Sequence, residues 1–314
     1  MDAGTLKQWF DAALRLFFWS GEVEWKQVVL IGMTPLFLLA FFVELAASRT
    51  RPALARQFEW REVLVNILLG SSYQLFDIAA HLLFVAVVVN WFYAHCVFDM
   101  PVNGWTILPL FVALEFCYYW FHRASHRIRW FWSAHVIHHS SERMNLSTAM
   151  RKAMLYPITG WWLFFMPLSL LGVPPAVVFF FYGVDLAYQY FVHTESVRRL
   201  PAWMEVVFVT PSHHRVHHGR NPCYIDKNFG GVLIVFDRLF GTFEPETEPV
   251  DYDIPRHIHS RNILTLNFHE FIDMWRDVLQ PGPLGLRLRH LWEPPEWTRE
   301  AREPAAPDSR GAAS

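Results

Sequence analysis

The chain has 314 residues, of which 53% are hydrophobic, 17% aromatic and 18% charged, and its formal net charge is −2. This apolar content exceeds that of an ordinary soluble domain, while the charged content excludes a bundle lying wholly within lipid. The composition therefore predicts a membrane domain with polar caps, and the near-neutral charge argues against nucleic acid as a partner. The three cysteines are far apart and form no CxxC pair, so neither a zinc ribbon nor a disulfide framework is indicated.

The N-terminal part of the chain is predicted to be membrane-associated. Residues 1–26 have the pattern of an amphipathic interfacial helix and lack the basic and then apolar segments of a cleaved signal peptide. Residues 27–121 are assigned to transmembrane helices. Three apolar stretches in this region, 27–47, 64–91 and 104–121, are long enough to cross the ~30 Å hydrocarbon layer.

The distribution of basic residues between the spans predicts their orientation. Segment 48–61 carries four arginines, whereas segment 92–103 has no lysine or arginine. The positive-inside rule places 48–61 in the cytoplasm and 92–103 outside, so the third span ends at the cytoplasmic face. Arginine strongly outnumbers lysine in the sequence, which indicates a GC-rich bacterial genome and hence the bacterial inner membrane.

The second half of the chain is predicted to hold a functional region and a cap. Residues 122–245 form a histidine-rich region that includes an apolar hairpin at 157–192, broken by Gly-Val-Pro-Pro at its centre. Each arm has about 15 apolar residues, short for a full crossing, so the hairpin is either re-entrant or extended by flanking helix. Residues 246–298 are assigned to a C-terminal cytoplasmic cap, and residues 299–314 to a disordered tail.

Three histidine clusters, HRASH, HVIHH and HRVHH, stand out because their spacing of three or four residues aligns imidazoles on one helix face. Eight such donors exceed the needs of a single metal ion, so the clusters predict a site for two metals. His193, at the end of the hairpin, is a candidate ninth ligand. The clustered residues are His122, His126, His135, His138, His139, His214, His217 and His218.

Glu115 and Tyr119 are candidate catalytic residues, because they form one helical stripe with His122 and His126. A carboxylate inside a span is costly without a partner. Glu115 would therefore either hydrogen-bond a ligand histidine or make a polar contact between helices, and the sequence leaves both open.

Further polar residues are predicted to support this site. Asp185, Gln189 and His193 form a second stripe, whereas Asp77 and His81 are interpreted as a structural contact. His213 points away from its neighbour in a helix, so it is assigned to the surroundings of the site or to the surface. Surface or hydrogen-bonded roles are expected for His81, His95, His257, His259, His269 and His290.

The segment after HRVHH is rich in turn-forming residues. Asn221, Asp226 and Asn228 lie in it, and Asp237 and Arg238 follow the strand-like run GGVLIVF. These residues would either anchor the cap over the metals or stabilise the turn itself.

Imidazole ligands suit zinc, copper, iron and nickel alike. Two iron ions beside a lipid-facing cavity could activate O2 for attack on an unactivated C–H bond, a redox step that zinc cannot perform. Tyr119, Trp120 and Trp132 would wall such a site. The sequence has no haem motif, GxGxxG or iron–sulfur cysteine set, so electrons would come from a separate donor. The alternatives are a zinc-dependent membrane lipid hydrolase and a non-catalytic, metal-stabilised membrane protein.

The three histidine boxes, in the order HxxxH, HxxHH and HxxHH, resemble those of the fatty acid hydroxylase / sterol desaturase superfamily of integral-membrane di-iron oxygenases. The segments YYWFHRASH, HHSSERMNLSTAMR, YQYFVHTE and TPSHHRVHHGRNPCYIDKNFGGVLIVFDRLFGTFE are similar to its alkylglycerol monooxygenase branch, over about residues 115–245.

The resemblance implies an all-α integral-membrane bundle of four or five spanning or re-entrant helices, with a dimetal site in a cytoplasmic cap. It also implies two Fe ions, O2, a membrane lipid that is hydroxylated, desaturated or cleaved, and an electron-donor protein or a reduced pterin. The metal ligands that it implies are His122, His126, His135, His138, His139, His193, His214, His217 and His218.

Overall fold

The computed structural model describes residues 25–299. The predicted tail after Arg299, and the interfacial helix before Trp25, lie outside these residues. The described part of the chain is helical and contains no β-strand, which confirms the all-α fold class. Its extended pairing is limited to isolated β-bridges between Phe208 and Leu233 and between Gly219 and Tyr252.

The α-helices are numbered here in chain order, and the short π and 3-10 turns are named by residue. A π turn at His81–Val85 joins α3 to α4, and 3-10 turns occur at Leu146–Met150 and Trp161–Phe165. The α-helices are α1 (Trp25–Ser48), α2 (Pro52–Ala55), α3 (Trp60–Ala80), α4 (Ala86–Ala94), α5 (Ile107–Arg127), α6 (Arg129–His139), α7 (Tyr156–Thr159), α8 (Met166–Leu170), α9 (Pro175–Val192), α10 (Ala202–Val207), α11 (Pro211–His217), α12 (Val235–Phe240), α13 (Ile263–Leu279) and α14 (Leu284–Trp292).

Three helical segments of the described chain are long and apolar enough to cross a membrane: α1, the continuous run from α3 to α4, and α9. Many of their large apolar side chains are exposed, such as Leu39 on α1 and Leu83 in the π turn. Lipid rather than water accounts for such exposure on a span. The chain is therefore an integral membrane protein. Helix α5 occupies the predicted third span but is not among the three segments, because its C-terminal half is polar.

The predicted hairpin has two unequal arms. Its first arm is interrupted at Gly160, which has a positive φ of 87°, and at Pro167, which is the second residue of α8. Proline and left-handed glycine both end a continuous helix, so this arm is a chain of short helices. Only the return arm, α9, is long enough to span. At the tip, the Val97 N–H donates to the Leu170 carbonyl at 2.8 Å, so the 95–106 loop closes over the hairpin.

The apolar core lies between α5, α9 and the first arm of the hairpin. Trp161 stacks on Tyr182 at 4.3 Å between ring centroids, and Phe121 and Leu114 are buried beside them. A buried ion pair between Lys26 and Asp77 joins α1 to α3. Charges within a span require such partners. The core thus fixes the helices from which the histidine segments extend.

A polar cap packs on the ends of the spans and positions α6. Arg129, the first residue of α6, donates to Glu270 at 2.8 Å and to Asp277 at 2.6 Å, both on α13. Asn262 caps α13 by accepting hydrogen bonds from two backbone N–H groups. The strand-like interpretation of GGVLIVF was wrong. Its first residues make a single β-bridge at Leu233, and the chain then turns into α12 because no neighbouring strand offers a ladder.

Candidate metal centre

The nine histidines converge into two adjacent groups, and within each group one ring nitrogen per residue lies within 4.8 Å of all the others. The structure therefore brings together every histidine proposed as a ligand. The five-histidine group consists of His122, His126, His135, His139 and His217. The four-histidine group consists of His138, His193, His214 and His218.

The helical spacing explains how each HxxHH box serves both groups. In α6, His135 and His139 are four residues apart and share a face, so both enter the five-histidine group, while His138 turns toward the other. The box at α11 shows the opposite assignment. His214 and His218 belong to the four-histidine group, and His217 belongs to the five-histidine group. Two boxes therefore bridge the groups.

Backbone carbonyls orient the rings of the five-histidine group from outside. His122 Nδ1 donates to the Phe229 carbonyl at 2.8 Å, and His217 Nδ1 donates to the Lys227 carbonyl at 2.9 Å. A carbonyl can only accept, so the hydrogen-bond network assigns the proton to Nδ1. The Nε2 lone pairs are left pointing into the group, as metal-binding histidines require.

The four-histidine group is held in the same way. His138 Nδ1 donates to the Arg151 carbonyl at 3.2 Å, and His193 Nδ1 donates to the Gln189 carbonyl at 2.6 Å. The Gln189 contact lies one helical turn before His193, so α9 orients its own terminal ring. Because hydrogen bonds to the surroundings already fix these imidazole rings, the rings lose little conformational entropy when they bind a cation.

The inward nitrogens are closer than unprotonated lone pairs tolerate without a cation or a proton between them. Nε2 of His135 lies 3.1 Å from Nε2 of both His122 and His139. In the other group, Nε2 of His193 lies 2.8 Å from Nε2 of His214. Several buried ring nitrogens have no hydrogen-bond partner, among them His217 Nε2. This donor set fits one metal ion in each group.

Burial keeps most of these imidazoles neutral. It lowers the pKa of eight of the nine well below the ordinary value, to about 3 for His193, and the neighbouring imidazoles lower most of them further. A histidine must be deprotonated to bind a metal, so the rings are ready to do so at neutral pH. The eight are His122, His135, His138, His139, His193, His214, His217 and His218.

The turn after HRVHH supports the five-histidine group directly. Asp226 lies 3.5 Å from His126 Nδ1 and accepts a hydrogen bond from Arg127 at 2.5 Å. These two carboxylate contacts orient His126. Both Asp226 and Asn228 have positive φ values, 58° and 57°, which these residue types tolerate better than most. Asn221 instead bonds Glu248 on the surface, at 2.7 Å.

Asp237 holds the same turn from behind. Its two carboxylate oxygens accept the Phe229 and Gly230 N–H groups at 2.7 Å each. Arg238 donates to the Glu205 carbonyl at 3.0 Å. The two alternatives, an anchor for the site and a stabilised turn, thus describe the same arrangement. The stabilised turn carries the Phe229 carbonyl, which orients His122.

Glu115 and Tyr119 are not brought to the histidines. Glu115 Oε2 accepts the N–H groups of Val232 at 2.7 Å and Leu233 at 3.0 Å. The Tyr119 hydroxyl bonds Thr242 at 3.0 Å. Seven residues of α-helix separate Glu115 from His122, about 10 Å along the axis, which exceeds the reach of the side chain. The geometry contradicts the hydrogen bond from Glu115 to a histidine and favours the alternative, a polar contact between elements.

The predicted aromatic wall is only partly present. Trp132 contacts the rings of His126 and His139, with centroids 5.4 Å and 5.9 Å apart. Trp120 is partly exposed and contacts the ring of Phe240 instead, with centroids 5.1 Å apart. Tyr118, the residue before Tyr119, faces the site, so the helical phase assumed for the aromatic wall was wrong.

A small cavity of ≈ 40 Å³ adjoins both histidine groups. Sequence reasoning missed most of its other residues, because the segments around Lys152 and Tyr156 are irregular and offer no periodicity to phase them. The cavity is lined by Tyr118, Phe121, His122, His135, His138, Ala149, Lys152, Tyr156, Tyr182, Leu186, Gln189, Tyr190 and His193.

The remaining histidines lie outside the two groups. His213 lies 3.0 Å from the carboxylate of Glu205 and helps to cap α11. His257 lies close to Glu142 and Asp253 in a third, partly exposed cluster on the cap. Neither arrangement adjoins the cavity.

Comparison with known proteins finds sequence relatives of this chain. The family model described as fatty acid hydroxylase matches residues 107–242, which confirms the superfamily resemblance. Alkylglycerol monooxygenase of Danio rerio is 41% identical over 196 residues, covering 62% of this chain and 43% of the relative. Its counterpart in Homo sapiens is 40% identical over 201 residues, covering 64% and 44%. An ornithine lipid hydroxylase of Rhizobium tropici is 30% identical over 154 residues, covering 49% and 46%.

The chain spans about half the length of the curated relatives that it matches. No solved structure matches it significantly. The histidine groups and the cavity all lie within or next to the matched region.

Proposed function

We propose that this chain, whose residues 107–242 belong to the fatty acid hydroxylase family, is a membrane-embedded, metal-dependent oxygenase that hydroxylates a lipid. The observation that carries the proposal is the cavity that adjoins both histidine groups. His122 and His135 of one group and His138 and His193 of the other line it together. A substrate carbon in this cavity would lie beside both metal positions.

We propose iron for both positions, with the five-histidine and four-histidine groups as its ligands. When bound, a pair of iron ions supplies redox chemistry with O2, which zinc cannot supply. Electrons would come from a separate donor protein or from a reduced pterin. The names of the relatives, alkylglycerol monooxygenase and ornithine lipid hydroxylase, support oxidation of a lipid over hydrolysis.

The residues of the chain itself would orient the substrate and exclude water. The Tyr118 hydroxyl donates to Gln189 at 2.9 Å, so its ring is fixed at the cavity wall. Tyr156 is fixed by a 3.1 Å contact between its hydroxyl and His135 Nδ1. Phe121 is almost fully buried beside them. A rigid wall that keeps bulk water out protects the oxidised carbon from side reactions.

The histidine end of the molecule would face the cytoplasm of a bacterial inner membrane. The arginine-rich segment 48–61 lies against this end, where Glu59 pairs with Arg261 at 2.6 Å and with Arg143 at 3.6 Å. The opposite end, where the 95–106 loop meets the hairpin tip, has no lysine or arginine. Basic residues concentrate on the cytoplasmic side of membrane proteins.

The test is turnover by the full chain in nanodiscs, with Fe(II), a chemical reductant and ¹⁸O2. The substrates are an alkylglycerol, an ornithine lipid and a total lipid extract. We expect a lipid product that carries ¹⁸O from O2, detected by mass spectrometry, and no product under nitrogen. A product with oxygen from water alone, formed without reductant, would instead identify a hydrolase.

The matched variants are His135→Ala and His269→Ala. His135 lies at the centre of the five-histidine group, whereas His269 bonds only its own helix backbone. We expect the first variant to lose turnover and the second to keep it, with both remaining folded. Turnover by His135→Ala at the wild-type rate would refute the proposal.

A further inference from the structure

Lys152 lines the cavity beside the histidine groups but has no ionic partner there. Its neighbour Arg151 supplies the carbonyl that orients His138, so the Lys152 backbone is fixed close to the four-histidine group. Its Nζ lies 5.5 Å from the centroid of the Tyr73 ring. Within residues 25–299, no hydrogen bond or ion pair joins this ammonium group to another residue.

The nearest carboxylates are engaged elsewhere. Asp77 accepts from Lys26, and Asp185 accepts from Gln189 at 2.6 Å. Burial lowers the pKa of Lys152 to about 8, and Asp185 and Asp77 oppose this shift without contacting its ammonium group. A charge surrounded by protein is costly unless a partner compensates it. A molecule in the cavity would supply the direct acceptor that this ammonium group lacks.

A second polar group lines the same cavity. Tyr182 is almost fully buried, and in the described part of the chain its hydroxyl has no hydrogen-bond partner. Tyr118 and Tyr156, in contrast, already bond Gln189 and His135. Lys152 and Tyr182 are thus two donors left over in a cavity otherwise closed by satisfied polar groups and apolar walls. Two donors that line one cavity suit an oxygen-rich anion.

We propose that Lys152 is a specificity-determining residue, which binds an anionic oxygen group of the lipid with Tyr182 as second donor. This inference rests on the proposed function, which places a lipid in the cavity. A fatty acid carboxylate and a lipid phosphate share the required chemistry. Because the cavity is small, the carbon presented to the histidines would lie close to this anionic group, and not in the middle of the chain.

The experiment measures binding without turnover, on the full chain in nanodiscs and in the absence of reductant. The probes are radiolabelled palmitate, hexadecyl phosphate and hexadecanol, which differ only in the head group. We expect wild type to bind at least one anion about tenfold or more tightly than hexadecanol. Lys152→Met should remove that preference, while hexadecanol binding changes less than about twofold.

Matched variants separate charge from packing. Lys152→Arg keeps the charge and should keep the preference, and Tyr182→Phe should reduce anion binding more than hexadecanol binding. Arg256→Met removes a cation that is exposed on the cap and should change nothing. If Lys152→Met does not fold, as judged by its Tm, the Lys152→Arg and Tyr182→Phe variants still decide the question.

The arms of the experiment also identify the anion. Preference for palmitate identifies a carboxylate, and preference for hexadecyl phosphate identifies a phosphate. Equal binding of all three probes to wild type would overturn the inference, as would unchanged anion binding in Lys152→Met. Failure of the proposed function would look different, because the ¹⁸O product would be missing while the anion preference remained.

Discussion

The buried carboxyl groups of Glu115 on α5 and Asp185 on α9 lie next to each other. Glu115 Oε1 and Asp185 Oδ1 are both buried without a hydrogen-bond partner, and a proton shared between the two carboxyl groups would satisfy both oxygens. The second oxygen of Asp185 accepts from Gln189, whose carbonyl orients His193. The second oxygen of Glu115 accepts from the loop whose Phe229 carbonyl orients a histidine of the other group. The pair thus supports both groups from behind.

Removing the Glu115 carboxyl should destabilise the fold. Glu115→Leu leaves the Val232 and Leu233 N–H groups and one oxygen of Asp185 without partners, at a cost of about 2–4 kcal/mol. Glu115→Gln is the matched control, because its carbonyl can accept the two N–H groups while its amide donates to Asp185. Tm values in detergent would measure both variants. Equal Tm values for the two would contradict the role assigned to this carboxyl.

Gly231 allows the loop to approach the carboxyl pair. A Cβ added there would lie 2.0 Å from Asp185 Oδ1 and 2.9 Å from Tyr118 Cδ1. Gly231→Ala should therefore cost about 1–3 kcal/mol through overpacking and should displace Asp185. Gly285→Ala, in α14, meets no atom within 4 Å and should be neutral or slightly stabilising. A Tm of Gly231→Ala equal to that of wild type would contradict this prediction, because it would show that the loop can move to accommodate the added methyl group.

The two histidine groups predict two separable metal sites. His193→Ala removes one ligand from the four-histidine group, so it should lower the metal content of purified protein from two ions per chain toward one. Dialysis against a chelator should lower the Tm of wild type by more than that of this variant, because a bound metal stabilises the folded state. Elemental analysis would measure the content, with His269→Ala as control. Two ions retained by His193→Ala would refute the assignment.

Asp237 predicts a pH dependence of stability. Burial raises the pKa of its carboxyl to about 6, although bonds from Thr242 and two backbone N–H groups oppose the shift. The fold therefore favours the protonated carboxyl. Its contribution is fully present below the unfolded value of about 4 and is lost as the pH rises through about 6.

Asp237→Asn cannot ionise, so its stability relative to wild type should rise between about pH 4 and pH 7. A difference of about two pKa units corresponds to about 3 kcal/mol. Tm values across this range would test the prediction, and a constant offset between the two proteins would count against it. The pH-independent part of the stability difference measures the loss of one acceptor for the Phe229 and Gly230 N–H groups.

The histidine site could be predicted from sequence because the spacing of its ligands is a local property of each helix. Spacings of three and four residues fix which rings share a helix face whatever the tertiary fold, and they indicated ligand segments before any contact was known. The long apolar stretches likewise indicated spans from length and composition alone. Both signals depend on the geometry of a single helix.

Glu115 shows where such reasoning fails. The stripe that joins Glu115 to His122 is correct as a helix face, but a face says nothing about distance along the axis or about the opposing surface. Asp185 opposes Glu115 only because α9 packs on α5 there, and no local pattern encodes that pairing. Lys152 was missed for the same reason, since its segment is irregular and only the surrounding helices make it line a cavity.

By itself, the sequence determined the helices, the donor atoms and their grouping by face, because backbone hydrogen bonding and side-chain periodicity are local. The tertiary structure decided which rings meet, which carbonyls fix their tautomers and which residues line the cavity. These depend on contacts between residues far apart in the chain, such as His138 with His193 and His122 with Phe229. Only the packing of the whole bundle sets those distances.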